Sequence, residues 1–292
     1  MSSPLIRSAQ ILSRWLAWSV LALACGAASF SPAAAEDVGP LTIEWKDNFL
    51  TVRGERLSGE AVRIHYLEAF CRPGSTDREW GETTIEHRTR LVSASEDRRR
   101  IELISELADG VLVRHRITAG DGEVDFQMVA ANPTDTPSQA HWAQPCIRVD
   151  QFTGRGQDDY VSKCFVFLDG RPARLPTEPW ATEARYVPGQ VYRPAHVPPD
   201  DVNPRPVSRL TPSNGLIGCY SADERQILAT AWEPYQELFQ GVGVCLHSDP
   251  RLGGLAPGEA KTIRGKLYLV DADMPALLVR YRRDFPQHAA AK

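Results

Sequence analysis

Two runs, Val111-Leu112-Val113-Arg114-His115-Arg116-Ile117 and Glu123-Val124-Asp125-Phe126-Gln127-Met128-Val129, decide the fold class, with the Gly120-Asp121-Gly122 turn between them. Apolar and polar side chains alternate through both. A period of two sends successive side chains to opposite faces of an extended strand, so each run is a strand with one buried face. The glycine-flanked Asp is a turn of the kind that joins antiparallel neighbours. The same alternation occurs upstream in Leu41–Trp45, Ala61–Tyr66 and Arg100–Ile104. Downstream, strands are expected at Lys163–Leu168, Leu216–Tyr220, Gln226–Trp232, Leu238–Leu246 and Lys261–Val270. Many strands with short turns and little helix predict an all-β chain built as two stacked antiparallel sheets or a closed barrel.

Two segments depart from this pattern. Residues 171–212 hold ten of the 22 prolines, among them Pro198-Pro199 and Asn203-Pro204-Arg205-Pro206. Proline lacks the ladder donor, so this segment is not central sheet. It also carries Trp180, Tyr186 and Tyr192, which predicts an ordered arm lying on the sheets rather than a solvated linker. The second departure is at 273–285. Met274, Leu277, Leu278, Tyr281 and Phe285 recur at helical spacing after Asp273, a good cap, and predict a C-terminal helix sealing one edge of the sandwich. No internal repeat divides the chain, so residues 36–292 are assigned to a single domain.

The first segment reads as an address. Arg7 and Arg14 precede an uncharged apolar run, Trp15 to Phe30, and Ala33-Ala34-Ala35 stands before Glu36-Asp37. A basic end, a short apolar stretch and an A-x-A site make a secretory signal peptide over 1–35, and with it a periplasmic or secreted protein. The run is short for a membrane span, which needs about 20 apolar residues, and no second run of that length follows, so no integral membrane segment is expected after cleavage. The alternative is a lipoprotein processed at Cys25, although Ala22 stands where such a signal usually has Leu.

Composition narrows the function classes. The 292 residues are 42% hydrophobic and 24% charged, an ordinary globular balance. The formal charge is −4, and without residues 1–35 it is −6, from 31 basic and 37 acidic residues. Such a chain offers no basic footprint for a phosphate backbone, and nucleic acid is not expected as a partner. Phosphate-binding loops, dinucleotide fingerprints, G-x-S-x-G and H-E-x-x-H are all absent, so no cofactor is expected. Cys71, Cys146, Cys164, Cys219 and Cys245 are widely spaced, with no C-x-x-C pair. An odd number leaves at least one unpaired, and the preferred reading is that most are small buried apolar side chains.

Four stretches could carry chemistry. Asn132-Pro133-Thr134-Asp135-Thr136-Pro137 leads to His141-Trp142 and on to Arg148. A proton carrier beside a flat aromatic platform suits a sugar ring; a hydrogen-bonded core His beside a core Trp is the plain alternative. Trp232-Glu233-Pro234-Tyr235-Gln236-Glu237 mixes aromatic and carboxyl groups, as carbohydrate sites do, or is simply a turn. In Cys245-Leu246-His247-Ser248-Asp249 the alternation puts Cys245 and His247 on one face. His247 held by Asp249 as an acid or base is preferred there. A metal is not expected, since C-x-H lacks the spacing of zinc frames and no partner pair is evident. Cys71 to Trp80 is a polar, turn-rich loop that either contacts sugar or only connects strands.

In order, these pieces resemble the galactose mutarotase-like superfamily, the β-supersandwich of the aldose epimerases. Asn132-Pro133-Thr134 with Pro137, followed by His141-Trp142, is similar to the family's stretch before its general-acid His. Val244-Cys245-Leu246-His247, Pro257-Gly258-Glu259 and Leu267–Val270 are similar to its closing strands. The resemblance spans roughly residues 41–270 and implies an antiparallel supersandwich that binds an oligo- or polysaccharide. It implies acid/base proton transfer on the sugar by His141 and His247, with Trp142, Arg148, Tyr160, Glu233 and Asp249 around the substrate. His247 stands where the family has a general-base Glu. That departure favours two alternatives on the same fold. One is a non-catalytic glycan-binding domain. The other is a polysaccharide lyase using His141, His247, Tyr160 and Arg148.

Overall fold

The alternating runs form two stacked antiparallel sheets, and the computed structural model describes residues 38–178 and 186–290. The leader at 1–35, with Cys25, and Trp180 of the arm lie outside the described residues. In chain order the strands are β1 (Leu41–Lys46), β2 (Phe49–Gly54), β3 (Val62–Cys71), β4 (Thr84–Ile85), β5 (His87–Ala94) and β6 (Arg100–Leu107). Then come β7 (Leu112–Ala119), β8 (Glu123–Ala131), β9 (Trp142–Arg148), β10 (Cys164–Leu168), β11 (Arg171–Arg174) and β12 (Val191–Tyr192). The last are β13 (Ile217–Tyr220), β14 (Gln226–Glu233), β15 (Tyr235–Gly241), β16 (Cys245–Pro250) and β17 (Ala260–Asp271). The first sheet runs β1-β2-β3-β9-β16-β15-β12, with β4 beside β3; the second runs β11-β10-β13-β14-β17-β8-β7-β6-β5.

The period of two sets which side chains meet between the layers. Val113 and Ile117 of β7 and Val124, Phe126 and Met128 of β8 join Leu41, Ile43, Ile64, Tyr66, Ile147 and Leu246 of the first sheet in one buried core. The hairpin expected across Gly120-Asp121-Gly122 pairs Ala119 with Val124 and continues to Leu112 opposite Ala131. One polar group crosses the core. Tyr66 Oη lies 3.1 Å from Nδ1 of His115, whose Nε2 lies 2.9 Å from Ser105 Oγ. Both ring nitrogens are thereby satisfied inside an otherwise apolar layer.

Three sequence expectations are refined. Leu238–Leu246 is two strands, because Gly241-Val242-Gly243-Val244 turns the chain from β15 into β16. The C-terminal helix α3 (Met274–Asp284) follows two single-turn helices, α1 (Trp80–Thr83) and α2 (Asp150–Thr153). It covers a face of the second sheet rather than an edge. Leu277, Tyr281 and Phe285 pack on Phe165, Phe167, Ile227, Ala229, Ala231 and Tyr268, the side chains that β10, β14 and β17 turn away from the main core. Asp273 caps it, its carboxylate accepting the Ala276 N–H at 2.9 Å. Asp273→Ala is expected to lower stability by about 1 kcal/mol, read as a shift of the urea midpoint with an unchanged slope.

Where it is described, the proline-rich arm starts on the edge of the second sheet and from Val191 lies on the first. Its start is the edge strand β11, and β12 adds a short edge strand beside β15. Val191, Val197 and Val202 pack on Phe239. Thr76 ties the arm to the loop after β3, its hydroxyl donating to the carbonyls of Pro199 and Val202 at 3.0 and 3.2 Å.

Candidate functional site

The outer face of the first sheet is polar because the alternation in β9, β15 and β16 demands it. Ala143 and Ile147 point into the core, so Trp142, Gln144, Cys146 and Arg148 point out. Leu246 points in, so Cys245, His247 and Asp249 point out. The β9–β16 register pairs Cys245 with Arg148 and Leu246 with Ile147, and the Trp142–Arg251 bridge keeps the same register. Cys146 therefore falls opposite His247. A bulge between Tyr235 and Glu237 sets Glu237 opposite Asp249 and Phe239 opposite His247. The Phe239 and His247 rings stack at 4.1 Å between centroids and 11° between planes.

These side chains floor a hollow of about 170 Å³. Its walls are Glu68, Trp80, Gln144, Arg148 and Phe239, and the arm supplies Asn203 and Arg205. The Asn203 backbone N–H donates to Glu237 Oε2 at 2.8 Å, which pins the arm across the sheet. Arg148 donates to the Gly243 carbonyl at 2.6 Å. Beneath the hollow the charges are buried. Asp249 and Glu237 are fully enclosed, and Nδ1 of His247 stands 3.6 Å from Asp249 Oδ1, an ion-pair separation beyond hydrogen-bond reach. Burial alone would depress the His247 imidazole. Cys245 and Asp249 outweigh it and lift the group to about 10. Burial also pushes the Asp249 carboxyl up, to about 6, and drives Glu237 well above the usual carboxylate range.

Of the residues expected at the site, His247 and Arg148 line the hollow and Asp249 lies directly behind His247. His141 stands apart from them. Counted along the Trp142–Arg251 register it is five positions from Cys146, about 16 Å of strand. There its Nδ1 is 3.6 Å from Asp201 Oδ2, an oxygen that accepts from Arg251 at 3.1 Å. Trp142 is fully buried, its Nε1 donating to Ser75 Oγ at 3.1 Å, so the ring offered to the hollow is Trp80, 6.5 Å away. Tyr160 belongs to the core between the sheets, where its hydroxyl donates to the Gly241 carbonyl. Glu233 pairs with His288 at a separate cleft with His196 and Tyr235. The four-residue lyase set thus does not converge: Tyr160, in the helical turn Tyr160–Lys163, reaches into the core between the sheets, while Arg148 lines the hollow on the outer face and His141 stands apart.

Several lining residues escaped the sequence reading. Gln144 and Cys146 share the two-residue spacing of Trp142 and Arg148 and could have been read from it. Glu68, Asn203 and Arg205 carry no local signal, since an irregular β3 and the arm bring them in. All five cysteines of the described chain are free and buried. Cys146 Sγ, Cys245 Sγ and a ring nitrogen of His247 all lie within 4.8 Å of one another, a three-donor group that no spacing in the chain announces.

The site therefore belongs to an antiparallel β-sandwich with a polar hollow on one outer sheet face, under an arm. Neither a protein-family model nor a curated protein sequence matches the chain. Its structure is similar to a galactose mutarotase-like protein from Clostridium acetobutylicum (10% identity, TM-score 0.42, covering 79% of this chain and 98% of that one). It is also similar to a galactose mutarotase-like protein from Lactobacillus casei (9% identity, TM-score 0.41, 78% and 99%) and to galactose 1-epimerase from Lactobacillus acidophilus (9%, 0.37, 80% and 98%). At TM-scores below 0.5 these likenesses assign no residue a role. Among the described residues no helix is long and apolar enough to cross a membrane.

Proposed function

We propose that this is an exported carbohydrate-binding protein whose saccharide seats in the hollow floored by β9, β15 and β16. One observation carries the reading: an aromatic ring, two amides, two guanidiniums and a carboxylate converge on one concavity around a stacked imidazole. Sugars bind through flat aromatic contact with C–H faces and through amide and charged partners for hydroxyls, and this mixture lines the hollow. Arg148 and Arg205 suit a sugar bearing a carboxylate. Residues 1–35 are proposed to be removed on export, which N-terminal sequencing of the secreted or periplasmic protein tests.

Proton exchange between His141 and His247 on a single ring is not part of this reading. Two groups must reach one sugar for general acid and base to act together, and about 16 Å of strand separates their positions. The test is a glycan panel of neutral and uronate-containing oligosaccharides, with product analysis on every hit. Trp80→Ala is expected to weaken the best binder roughly 30-fold, the effect of losing a central aromatic contact worth about 2 kcal/mol. Because Trp80 is 37% exposed, its loss should leave stability within about 1 kcal/mol. Binding that survives Trp80→Ala and Arg148→Ala unchanged places the ligand elsewhere.

A further inference from the structure

We infer that Cys146, Cys245 and His247 form a binding site for a thiophilic divalent cation of the zinc class at the floor of the hollow. The inference stands independently of the saccharide reading, since it rests on the donors alone.

The donor set is the first argument. Two thiolates and one imidazole are the ligands that borderline-soft ions select, and three protein donors leave a fourth position free. Cys245 Sγ lies 3.3 Å from His247 Nε2, and all three donor atoms fall within 4.8 Å. A tetrahedral zinc with bonds of about 2.0–2.3 Å needs donors roughly 3.3–3.8 Å apart, so sub-ångström shifts of side chains suffice. The free fourth position faces the hollow, because all three donor residues line it.

What stands behind the donors is the second argument. Nε2 of His247 faces the thiols while Nδ1 faces the Asp249 carboxylate at 3.6 Å, so a shift of a few tenths of an ångström would complete the carboxylate–histidine–metal order that fixes a ligand's tautomer and orientation. Phe239 stacked on the ring holds its plane. Neither Asp249 oxygen has a hydrogen-bond partner, and Glu237 Oε1 has none either. Polar atoms enclosed without partners are costly, and a divalent cation held by the thiols and the imidazole would set positive charge beside them.

The third argument is the space itself. A Cβ at Gly241 would come within 2.3 Å of Cys245 Sγ and 2.8 Å of His247 Nε2. Any other residue there would push the two donor atoms apart. Its φ is not in the left-handed region, so clearance beside the donors, rather than backbone conformation, requires the glycine.

The test is metal titration of the purified, reduced protein. One equivalent of Zn2+ should be taken from a chromophoric chelator. Co2+ should give the visible bands of a tetrahedral ion with thiolate-to-cobalt charge transfer. Cys146→Ser and Cys245→Ser should each weaken Zn2+ at least 100-fold and diminish the charge-transfer band. Asp249→Asn should weaken it roughly 10–100-fold. Gly241→Ala should also weaken it. Cys164→Ser, a buried thiol outside the group, should bind as the parent does. Circular dichroism and urea midpoints identify any variant that fails to fold, and the parent's stoichiometry and cobalt spectrum decide the question without variants. The inference is overturned if the reduced protein takes up no stoichiometric Zn2+, if Co2+ binds without thiolate charge transfer, or if a Cys146–Cys245 disulfide reforms on oxidation while the reduced form binds no metal. Loss of metal uptake with glycan binding intact would sink this inference alone. Loss of glycan binding with metal uptake intact would sink only the saccharide reading.

Discussion

Acidification from about pH 6.5 to pH 3 is expected to remove about 5 kcal/mol of stability through His115 alone. His115 is 3% exposed between the two sheets, and burial, with a smaller push from His87, holds its imidazole down at about 3 against an ordinary value of 6.5. The sign follows from proton counting. Between those two values the unfolded chain carries the His115 proton and the folded chain does not. The unfolded state thus binds more protons, and stability falls as pH falls through this window. Above 6.5 both states are neutral at this group, and below about 3 both are charged, so the loss ends there. Against a total of about 5–15 kcal/mol for a typical domain, one group of this size brings the protein close to acid unfolding. His115→Gln removes the titration. At neutral pH it should be less stable than the parent by about 1–3 kcal/mol, because Tyr66 and Ser105 lose an optimally placed partner. As the pH falls that deficit should shrink and reverse. Urea unfolding of both proteins across the window measures it, and parallel stability profiles would show that His115 is not the group responsible.

Trp142→Ala is the second large effect, with about 3–5 kcal/mol of stability expected to be lost. The ring is fully enclosed against Ala69 and Cys71, small side chains that cannot expand into the space it leaves. Its Nε1 also holds Ser75, itself fully buried, at 3.1 Å and so anchors the loop that carries Trp80. Saccharide affinity should fall together with stability, because Trp80 loses the ring behind it. Trp142→Phe keeps most of the volume and should lose about 1–2 kcal/mol, chiefly from the lost hydrogen bond to Ser75, whose hydroxyl keeps its bond to the Arg72 carbonyl at 2.8 Å. A Trp142→Ala protein within 1 kcal/mol of the parent would mean that the ring is not packed as described.

The sheet and its hairpins were legible because their causes are local. Each alternating run states which side chains face the core, and Gly120-Asp121-Gly122 fixes where the chain reverses. The same logic gave the face shared by Cys245 and His247, and the Asp273 cap with its apolar stripe. Trp142 shows the limit. A Trp beside a His reads as a platform, but only the packing of Ala69 and Cys71 against it reveals that it is floor rather than surface. Tyr160 shows another: nothing in Tyr160–Lys163 says that the hydroxyl reaches the turn after β15.

Period and turn chemistry are properties of neighbouring residues, so the sequence by itself determined two-sided strands, an all-β sandwich, a C-terminal helix and a proline-rich segment unfit for central sheet. Which distant strands lie side by side, and in what register, depends on the summed burial of whole faces, and no short stretch contains that information. Only the tertiary structure set Cys146 of β9 against Cys245 and His247 of β16, carried His141 some five positions away from them, and laid Asn203 and Arg205 of the arm over the result. A one-residue slip of that register would turn Cys146 into the core, so the hollow and its three donors exist because burial of Ala143, Ile147 and Leu246 forbids the slip.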